Sequence, residues 1–440
     1  MFALFSCRNA DKPVNLGPSP KVEWSRQATI YEVNIRQFTS EGTFKALTGE
    51  LPRLQKMGVG IIWLMPIHPV GAKNRKGSLG SYYSVKDYYD VNPEFGTKKD
   101  FADLVKKAHE LGMKVIIDWV ANHTAWDNPL IEKHPEWYKK DSTGSIVPPV
   151  ADWTDVAALD YSNPELREYM TGALKYWIQE FDIDGYRCDV AGMMPVDYWN
   201  KAVPELRMIK PIFMLAEEEK PIMHDTAFDA TYAWVLHRIM NDIARGKKSA
   251  DKIDSAYAAD KKNYPADAYR MLFTSNHDEN SWNGTEYERL GGGARTFAVF
   301  TFTFPGIPLV YSGQEAAMDR RLRFFDKDTI PWGGFVLEPF YTTLLQLKKT
   351  SDLIASGDSG GVFTKVSTDK DKQVYCFLRH KGDRKMFVLL NFSEADQNIT
   401  LRGDTFAGDY QEIFTGEKKS WKAHEKAVLG PWQYLVYTTK

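Results

Sequence analysis

From Ala28 onward the chain alternates between short, almost wholly apolar runs and longer stretches in which apolar residues recur every three or four positions. The first pattern predicts strands buried on both faces and the second predicts amphipathic helices. Their alternation predicts βα units wound around a parallel sheet. Strands are expected at 29–35 (TIYEVNI), 60–65 (GIIWLM), 114–118 (KVIID), 183–189 (IDGYRCD), 212–217 (IFMLAE), 227–232 (AFDATY, the weakest), 271–275 (MLFTS) and 308–313 (PLVYSG). Helices are expected between them, for example at 98–112 and 163–181. The second opens on Asn163-Pro164-Glu165, a side chain able to cap the first turn followed by a proline that tolerates it. Eight strands are the number that closes a (β/α)₈ barrel, so the expected fold class is α/β.

Two stretches break the rhythm. Residues 124–162, after the third strand and rich in Pro, Trp and Asp, are too long for a simple loop and are expected to form a small inserted domain. After Asp352 come short alternating runs (GVFTKVS, QVYCFLRH, KMFVLLNFS, QNITLRG, WQYLVYTT), which predict a C-terminal antiparallel β-sandwich over 353–440. The barrel would then occupy 24–123 and 163–352, behind a tail at 1–23.

Composition removes several function classes. The 440 residues are 43% hydrophobic and 26% charged with a net charge of −2, so no basic field points to nucleic acid or to an anionic membrane. Cys7, Cys188 and Cys376 are too few and too odd in number for a disulfide framework, and no Cys/His cluster suggests zinc. Cys188, inside a strand, is expected to be a buried apolar residue. The richest apolar stretch, FAVFTFTFPGIPLVY, is broken by Pro305, Gly306 and Pro308, so no transmembrane segment is expected. Abundant aromatics (22 Tyr, 24 Phe, 13 Trp) fill a large core and also offer platforms for sugar rings. At the start, Leu4-Phe5-Ser6-Cys7 and the polar segment up to Pro20 resemble the end of a bacterial lipoprotein signal, with a short apolar lead. A periplasmic, secreted or lipid-anchored location is one expectation; an ordinary terminus on a cytoplasmic chain is the other.

Four acidic residues sit at or just beyond strand ends: Asp118 in KVIID-WVANH, Asp189 in IDGYRCD, Glu217 in IFMLAE and Asp278 in MLFTSNHD. Strand ends are where a (β/α)₈ barrel collects its catalytic groups. Two or three carboxyls converging there imply acid/base and nucleophilic chemistry on a hydrolysable bond.

These motifs, in this order, resemble the α-amylase superfamily, glycoside hydrolase family 13, over nearly the whole chain from about Trp24. The motifs are Asp118-x-x-x-Asn122-His123, Gly185-Tyr-Arg187-x-Asp189, Ala216-Glu217 and Asn276-His277-Asp278. They are joined by Gly306-Ile-Pro-Leu-Val-Tyr-Ser-Gly-Gln-Glu315 and by the segment from Gly80 through Tyr83 to Asp87. The resemblance implies Asp189 as nucleophile, Glu217 as acid/base and Asp278 as a third acid that binds sugar hydroxyls. It implies Tyr83 stacking under the sugar, His123 and His277 as hydroxyl donors, Arg187 beside the nucleophile, and Asp118 and Asn122 as structural residues. Arg187, two residues before Asp189 on one strand face, is expected to lower the pKa of Asp189. The apolar lead-in to Glu217 is expected to raise its pKa so that it stays protonated. Glu217, Glu218 and Glu219 are consecutive, which leaves the register of the acid open by one residue. Trp126, Trp153 and Trp282 are candidates for sugar subsites or for ordinary loop packing.

The chain departs from the family pattern in two places. Many amylases bind calcium through an Asn like Asn122 and an Asp whose position here is Ala158, and a methyl group cannot ligate a hard cation. Asp152, Asp155 or Asp160 are the substitutes at hand; no metal is assigned, no cofactor is expected to be required, and calcium at the usual site is not favoured. After Asp189 stands Val-Ala-Gly-Met where many endo-amylases carry Lys-His, which is closer to the neopullulanase and cyclomaltodextrinase branch. That branch usually adds an N-terminal domain supporting a dimer, for which this chain has no room, so a monomer is expected. The expected activity is retaining hydrolysis of α-1,4 bonds in starch or maltooligosaccharides. The alternative is a maltogenic, cyclodextrin-opening or neopullulanase-type hydrolase. A catalytically silent glycan-binding homologue is disfavoured, because all three acids are present.

Overall fold

The computed structural model describes residues 21–439; Leu4 to Cys7 therefore lie outside the described residues. Eight parallel strands close into a barrel: Ile30–Val33, Ile61–Leu64, Lys114–Trp119, Gly185–Cys188, Phe213–Ala216, Ala230–Tyr232, Tyr269–Leu272 and Ile307–Tyr311. Each pairs with its neighbours in chain order, and the eighth pairs with the first. The seventh strand differs from expectation. It begins at Tyr269 because Tyr269 and Arg270 pair with Ala230 and Thr231 of the sixth strand. The charge of Arg270 hides that start in the sequence; its guanidinium leaves the sheet to meet Glu219 and Asp260.

Period-two alternation divides each strand between two cores. Ile30, Ile61, Trp63, Ile116, Phe213, Leu215, Met271, Ile307 and Leu309 fill the barrel interior. Tyr31, Val33, Ile62, Leu64, Val115 and Ile117 face the surrounding helices. At Gly185 the backbone has φ +146°, and a Cβ would stand 1.9 Å from the Phe213 carbonyl oxygen, so only glycine lets strands four and five approach this closely. Toward the C-terminal mouth the inward rows turn polar. Glu32 continues the row of Ile30, Asp118 that of Ile116, and Arg187 that of Gly185.

The helices hold this frame by ordinary means. Lys98–Glu110 carries a capping box between Thr97 and Asp100 and buries Phe101, Leu104, Val105 and Ala108 at helical spacing. Pro164–Phe181 is capped by the Asn163 side chain, which accepts from the Glu165 and Leu166 amides. In the insertion after strand three, His123–Ala125 pairs antiparallel with Val156–Ala158.

At the C-terminus, Val362–Val366, Val374–Lys381, Arg384–Asn391, Tyr434–Thr438, Gly408–Glu412 and Lys418–Trp421 form a six-stranded antiparallel sheet in that order. A ribbon of Gln397–Thr400 with Lys426–Leu429 shares the core of one face, which contains Cys376, Phe387, Leu389, Ile399, Trp421 and Leu429. The strands at 408–412 and 418–421 go beyond the expected set because they are short and largely polar, and that at 426–429 because its apolar part, Ala427 to Leu429, is only three residues long. The other face meets the barrel helix Ala294–Thr303, where Phe297 stacks on Phe392 at 4.5 Å. Among the described residues, no helix is long and apolar enough to cross a membrane.

Candidate active site

Arg187 is the centre of the barrel mouth and is fully buried. The register pairs it across strands three and four with Asp118. Its Nη1 lies 2.8 Å from Asp118 Oδ1 and 2.9 Å from Asp189 Oδ1, and its Nε donates to the Tyr232 hydroxyl at 3.2 Å. Its Nη2 lies 2.8 Å from Glu217 Oε2, an ion-pair contact bent away from the N–H direction. The guanidinium also sits 5.1 Å from the centre of the Trp63 ring, whose face favours a cation. One buried cation therefore gathers three of the predicted site residues: Asp118, Asp189 and Glu217.

A second centre lies beside it. His277 Nδ1 faces Glu32 Oε1, while Nε2 is 2.8 Å from the Tyr83 hydroxyl and 3.3 Å from Asp278 Oδ2. The Tyr83 hydroxyl in turn lies 3.1 Å from Asp118 Oδ2, so the two centres form one network. The Tyr83 ring runs nearly parallel to those of His277 and Phe324, at centroid distances of 5.6 and 6.2 Å.

The electrostatics follow from burial and from an excess of acids. Glu32, Asp118, Asp189, Glu217 and Asp278 surround only two side-chain cations of this network, Arg187 and His277. Burial pushes Glu217 up to about 7 against the pull of Arg187, with the charges of Asp189 and Asp278 adding to the rise. Burial also pushes Asp189 up to about 6, and Arg187 only limits the rise. The expectation that Arg187 would hold Asp189 below the ordinary value is therefore corrected: desolvation at the mouth outweighs one guanidinium shared among three carboxylates. Asp118 likewise rises to about 6 through burial. Burial would lower His277, but the carboxylates of Asp278 and Glu32 raise it to about 9.

Val190, directly after Asp189, adopts φ 36° and ψ 45°, a left-handed conformation that costs a β-branched residue about 1–3 kcal/mol. In that conformation its amide donates to Glu217 Oε2 at 2.8 Å, tying the two acidic strand ends together. The three consecutive glutamates have different partners. Glu218 pairs with Lys220, and Glu219 with Arg238 and Arg270, which leaves Glu217 on Arg187. A cavity of about 240 Å³ opens beside Glu217, lined by Val190, Gly192, Met193, Glu218, Glu219 and Trp234.

Other predicted residues lie at the edge of this network. His123 is buried and neutral, with burial holding it near 4. Its Nδ1 lies 3.3 Å from Asn122 Nδ2 and its ring edge meets Trp153, with no hydrogen bond to the acids among the described residues. Trp282 is 52% exposed and packs on Phe324 and Phe325. Trp126 donates to the Thr154 carbonyl oxygen as ordinary loop packing. Near Asn122, the position the resemblance gives to a calcium-binding Asp is Ala158, which has no side-chain oxygen. Ala158 is ladder-paired with His123, Asp155 is held by Lys76, Asp160 accepts from the Ser162 amide, and the Asp152 side chain is exposed.

The network also contains residues that no motif marked: Glu32, Tyr232 and Phe324. Glu32 had a signal in retrospect, a carboxylate on the inward row of an apolar strand. Tyr232 lies in the weakest strand and Phe324 in a loop without pattern.

A (β/α)₈ barrel that gathers carboxyls on one arginine at its C-terminal mouth has the construction of a glycoside hydrolase. Residues 19–147 and 150–233 match the family described as Alpha amylase, catalytic domain, and residues 366–433 match Alpha amylase, C-terminal all-beta domain. The crystal structure of a noncanonic maltogenic alpha-amylase, AmyB from Thermotoga neapolitana, superposes with a TM-score of 0.87 at 34% identity, over 94% of this chain and 99% of that one. An alpha-amylase from Lactobacillus plantarum superposes with a TM-score of 0.85 at 29% identity, over 95% of this chain and all of that one. Alpha-amylase 2 of Dictyoglomus thermophilum is 25% identical over 89% of this chain and 73% of its own length. The chain belongs to the α-amylase family of glycoside hydrolases and is an enzyme.

Proposed function

We propose that the protein hydrolyses α-1,4-glucosidic bonds in starch or maltooligosaccharides with retention of configuration. The observation that carries this reading is the pair Asp189 and Glu217, held on adjacent nitrogens of one buried guanidinium. Such close carboxyls favour double displacement over inversion, which leaves room for a water between them. Glu217, protonated near neutrality, gives its proton to the glycosidic oxygen as the bond to C1 breaks, and Asp189 takes C1 as an ester. Glu217 then removes a proton from water, which attacks C1, releasing Asp189 and restoring the acid. Asp278 binds hydroxyls of the distorted ring, as does the Nε2–H of His277, which faces Tyr83 and Asp278 until a sugar hydroxyl takes it; Tyr83 lies under the ring, and His123 donates its single N–H at the rim. Asp118 and Asn122 hold their neighbours in place.

The two shifted carboxyls predict a narrow pH profile. kcat/KM rises with pH as Asp189 loses its proton near 6 and falls as Glu217 loses its proton near 7. A profile on maltoheptaose still flat at pH 8.5 would contradict Glu217 as the acid.

A maltogenic mode is the second reading. It is supported by the 34% likeness to a maltogenic amylase and by the apolar Val190–Met193 loop on the leaving-group side. Product analysis over time on soluble starch, maltoheptaose and β-cyclodextrin separates the two. Mixed oligosaccharides with rapid loss of iodine colour indicate endo action. Maltose released mainly from the short or cyclic substrate indicates the maltogenic mode. No turnover on any of the three overturns the proposal. Because Ala158 offers no oxygen at the usual calcium position, we propose that no calcium is required there and expect the same rates after chelation with EDTA.

A further inference from the structure

Glu32 lies on the first strand, outside every motif, and is fully buried. Its Oε1 faces His277 Nδ1 and lies 3.4 Å from the His277 amide, while its Oε2 is buried without a partner. We propose that Glu32 is a positioning residue that fixes His277 as an imidazolium and thereby points the hydroxyl hydrogen of Tyr83 at Asp118.

An ionised carboxylate only accepts, so Nδ1 must carry a hydrogen toward Glu32. On the other side of the ring, Nε2 faces the Tyr83 oxygen at 2.8 Å and Asp278 Oδ2 at 3.3 Å. A lone pair on Nε2 would face the Asp278 carboxylate and draw the Tyr83 hydrogen away from Asp118. With Nε2 protonated, His277 donates to Tyr83, and Tyr83 donates to Asp118 Oδ2 at 3.1 Å. The doubly protonated ring gives each facing pair from Glu32 Oε1 through His277 and Tyr83 to Asp118 one donor and one acceptor.

The groups facing His277 divide clearly. Glu32 from the first strand and Asp278 from its own segment favour the cation; burial and Arg187 from the fourth strand oppose it. Tyr83 is the neutral member at 2.8 Å, Trp63 of the second strand meets the ring edge-on at 5.9 Å, and Phe324 tilts over it at 6.4 Å. Asp278 is partly open to solvent whereas Glu32 is sealed, so the anion that water screens least is Glu32. Without it, the ring would have one partly solvated carboxylate against burial and an adjacent guanidinium, and would become neutral in the working pH range.

Only the kinetic arm of the test rests on the proposed glucan hydrolysis. Glu32→Gln keeps the size of the side chain and an oxygen for Nδ1–H but removes the charge. The full chain is labelled with ¹⁵N-histidine, and the His277 signals are assigned by their loss in His277→Asn. We expect both ring nitrogens of the unmodified protein to be protonated at pH 8, with titration near 9. In Glu32→Gln, titration falls to the ordinary histidine value of about 6.5. On maltoheptaose, the ratio of unmodified to Glu32→Gln kcat/KM is then near one at pH 5.5 and about tenfold at pH 7.5, because about one ring in ten remains charged. A ring already neutral at pH 8 in the unmodified protein overturns the proposal, whether or not the variant folds. So does a loss of equal size at both pH values, which would be packing damage. If the unmodified protein cleaves no glucan, the proposed function fails, and the ring titration still decides the role of Glu32.

Discussion

Asp189→Asn lowers kcat on maltoheptaose by about 10⁴-fold or more, as loss of a nucleophile does in enzymes that work through a covalent intermediate. The fold is expected to survive. Asn keeps an oxygen where Asp189 Oδ1 meets Arg187 Nη1, and the guanidinium retains Asp118 and Glu217 as anionic partners. Thermal unfolding within a few degrees of the unmodified protein checks that point. A second consequence tests the electrostatic coupling between the two acids. The charge of Asp189 is one of the causes that raise Glu217, so its removal lowers the pKa of Glu217 and moves the alkaline limb of the residual activity to lower pH. A folded variant that kept more than a tenth of the activity would remove Asp189 from the chemistry.

The fold was legible because most barrel-strand residues are buried apolar side chains, so the strands read as short, largely apolar runs. The exceptions are the places where that condition fails. Arg270 lies in the seventh strand but sends its charge out to Glu219 and Asp260, so the apolar run begins two residues late. Gly408–Glu412 and Lys418–Trp421 lie at the far edge of the terminal sheet; of their residues only Tyr410, Glu412 and Trp421 are buried, too few for the alternation to show.

In the site, motifs reported which residues meet but not the balance of forces among them. Asp118, Arg187, Asp189 and Glu217 each end or follow an apolar strand, and the register brings them together. Whether Arg187 or desolvation decides the protonation of Asp189 depends on how many carboxylates share one guanidinium and how deeply, and spacing along the chain carries neither quantity. Glu32 shows the same limit from the other side. Its place on an inward row was readable, but its partner His277 is 245 residues away. The left-handed turn at Val190 is opaque for another reason: nothing about a valine announces a conformation that valine disfavours, and only the amide bond to Glu217 explains why it is held there.

Glu217→Gln separates the two half-reactions. A glutamine cannot supply the proton that the departing sugar oxygen needs, so hydrolysis of maltooligosaccharides falls by about 10³-fold. A substrate whose leaving group needs no proton, such as an α-maltosyl fluoride, still transfers C1 to Asp189, because Arg187 keeps its contact with Asp189. The variant also lacks the base that activates water, so the second step becomes the slow one and the ester on Asp189 accumulates. Mass spectrometry of the variant after mixing with the fluoride should then show the added maltosyl group, carried on the peptide containing Asp189. Azide, a nucleophile that needs no base, should restore turnover and give a glycosyl azide of retained configuration. Glu219→Gln should show none of this behaviour, since Glu219 answers to Arg238, Arg270 and the Val235 amide rather than to the reacting bond. If instead Glu217→Gln lost the fluoride and the oligosaccharide reactions equally, with no adduct and no rescue, Glu217 would be holding the site together and the acid would have to be sought elsewhere in the mouth.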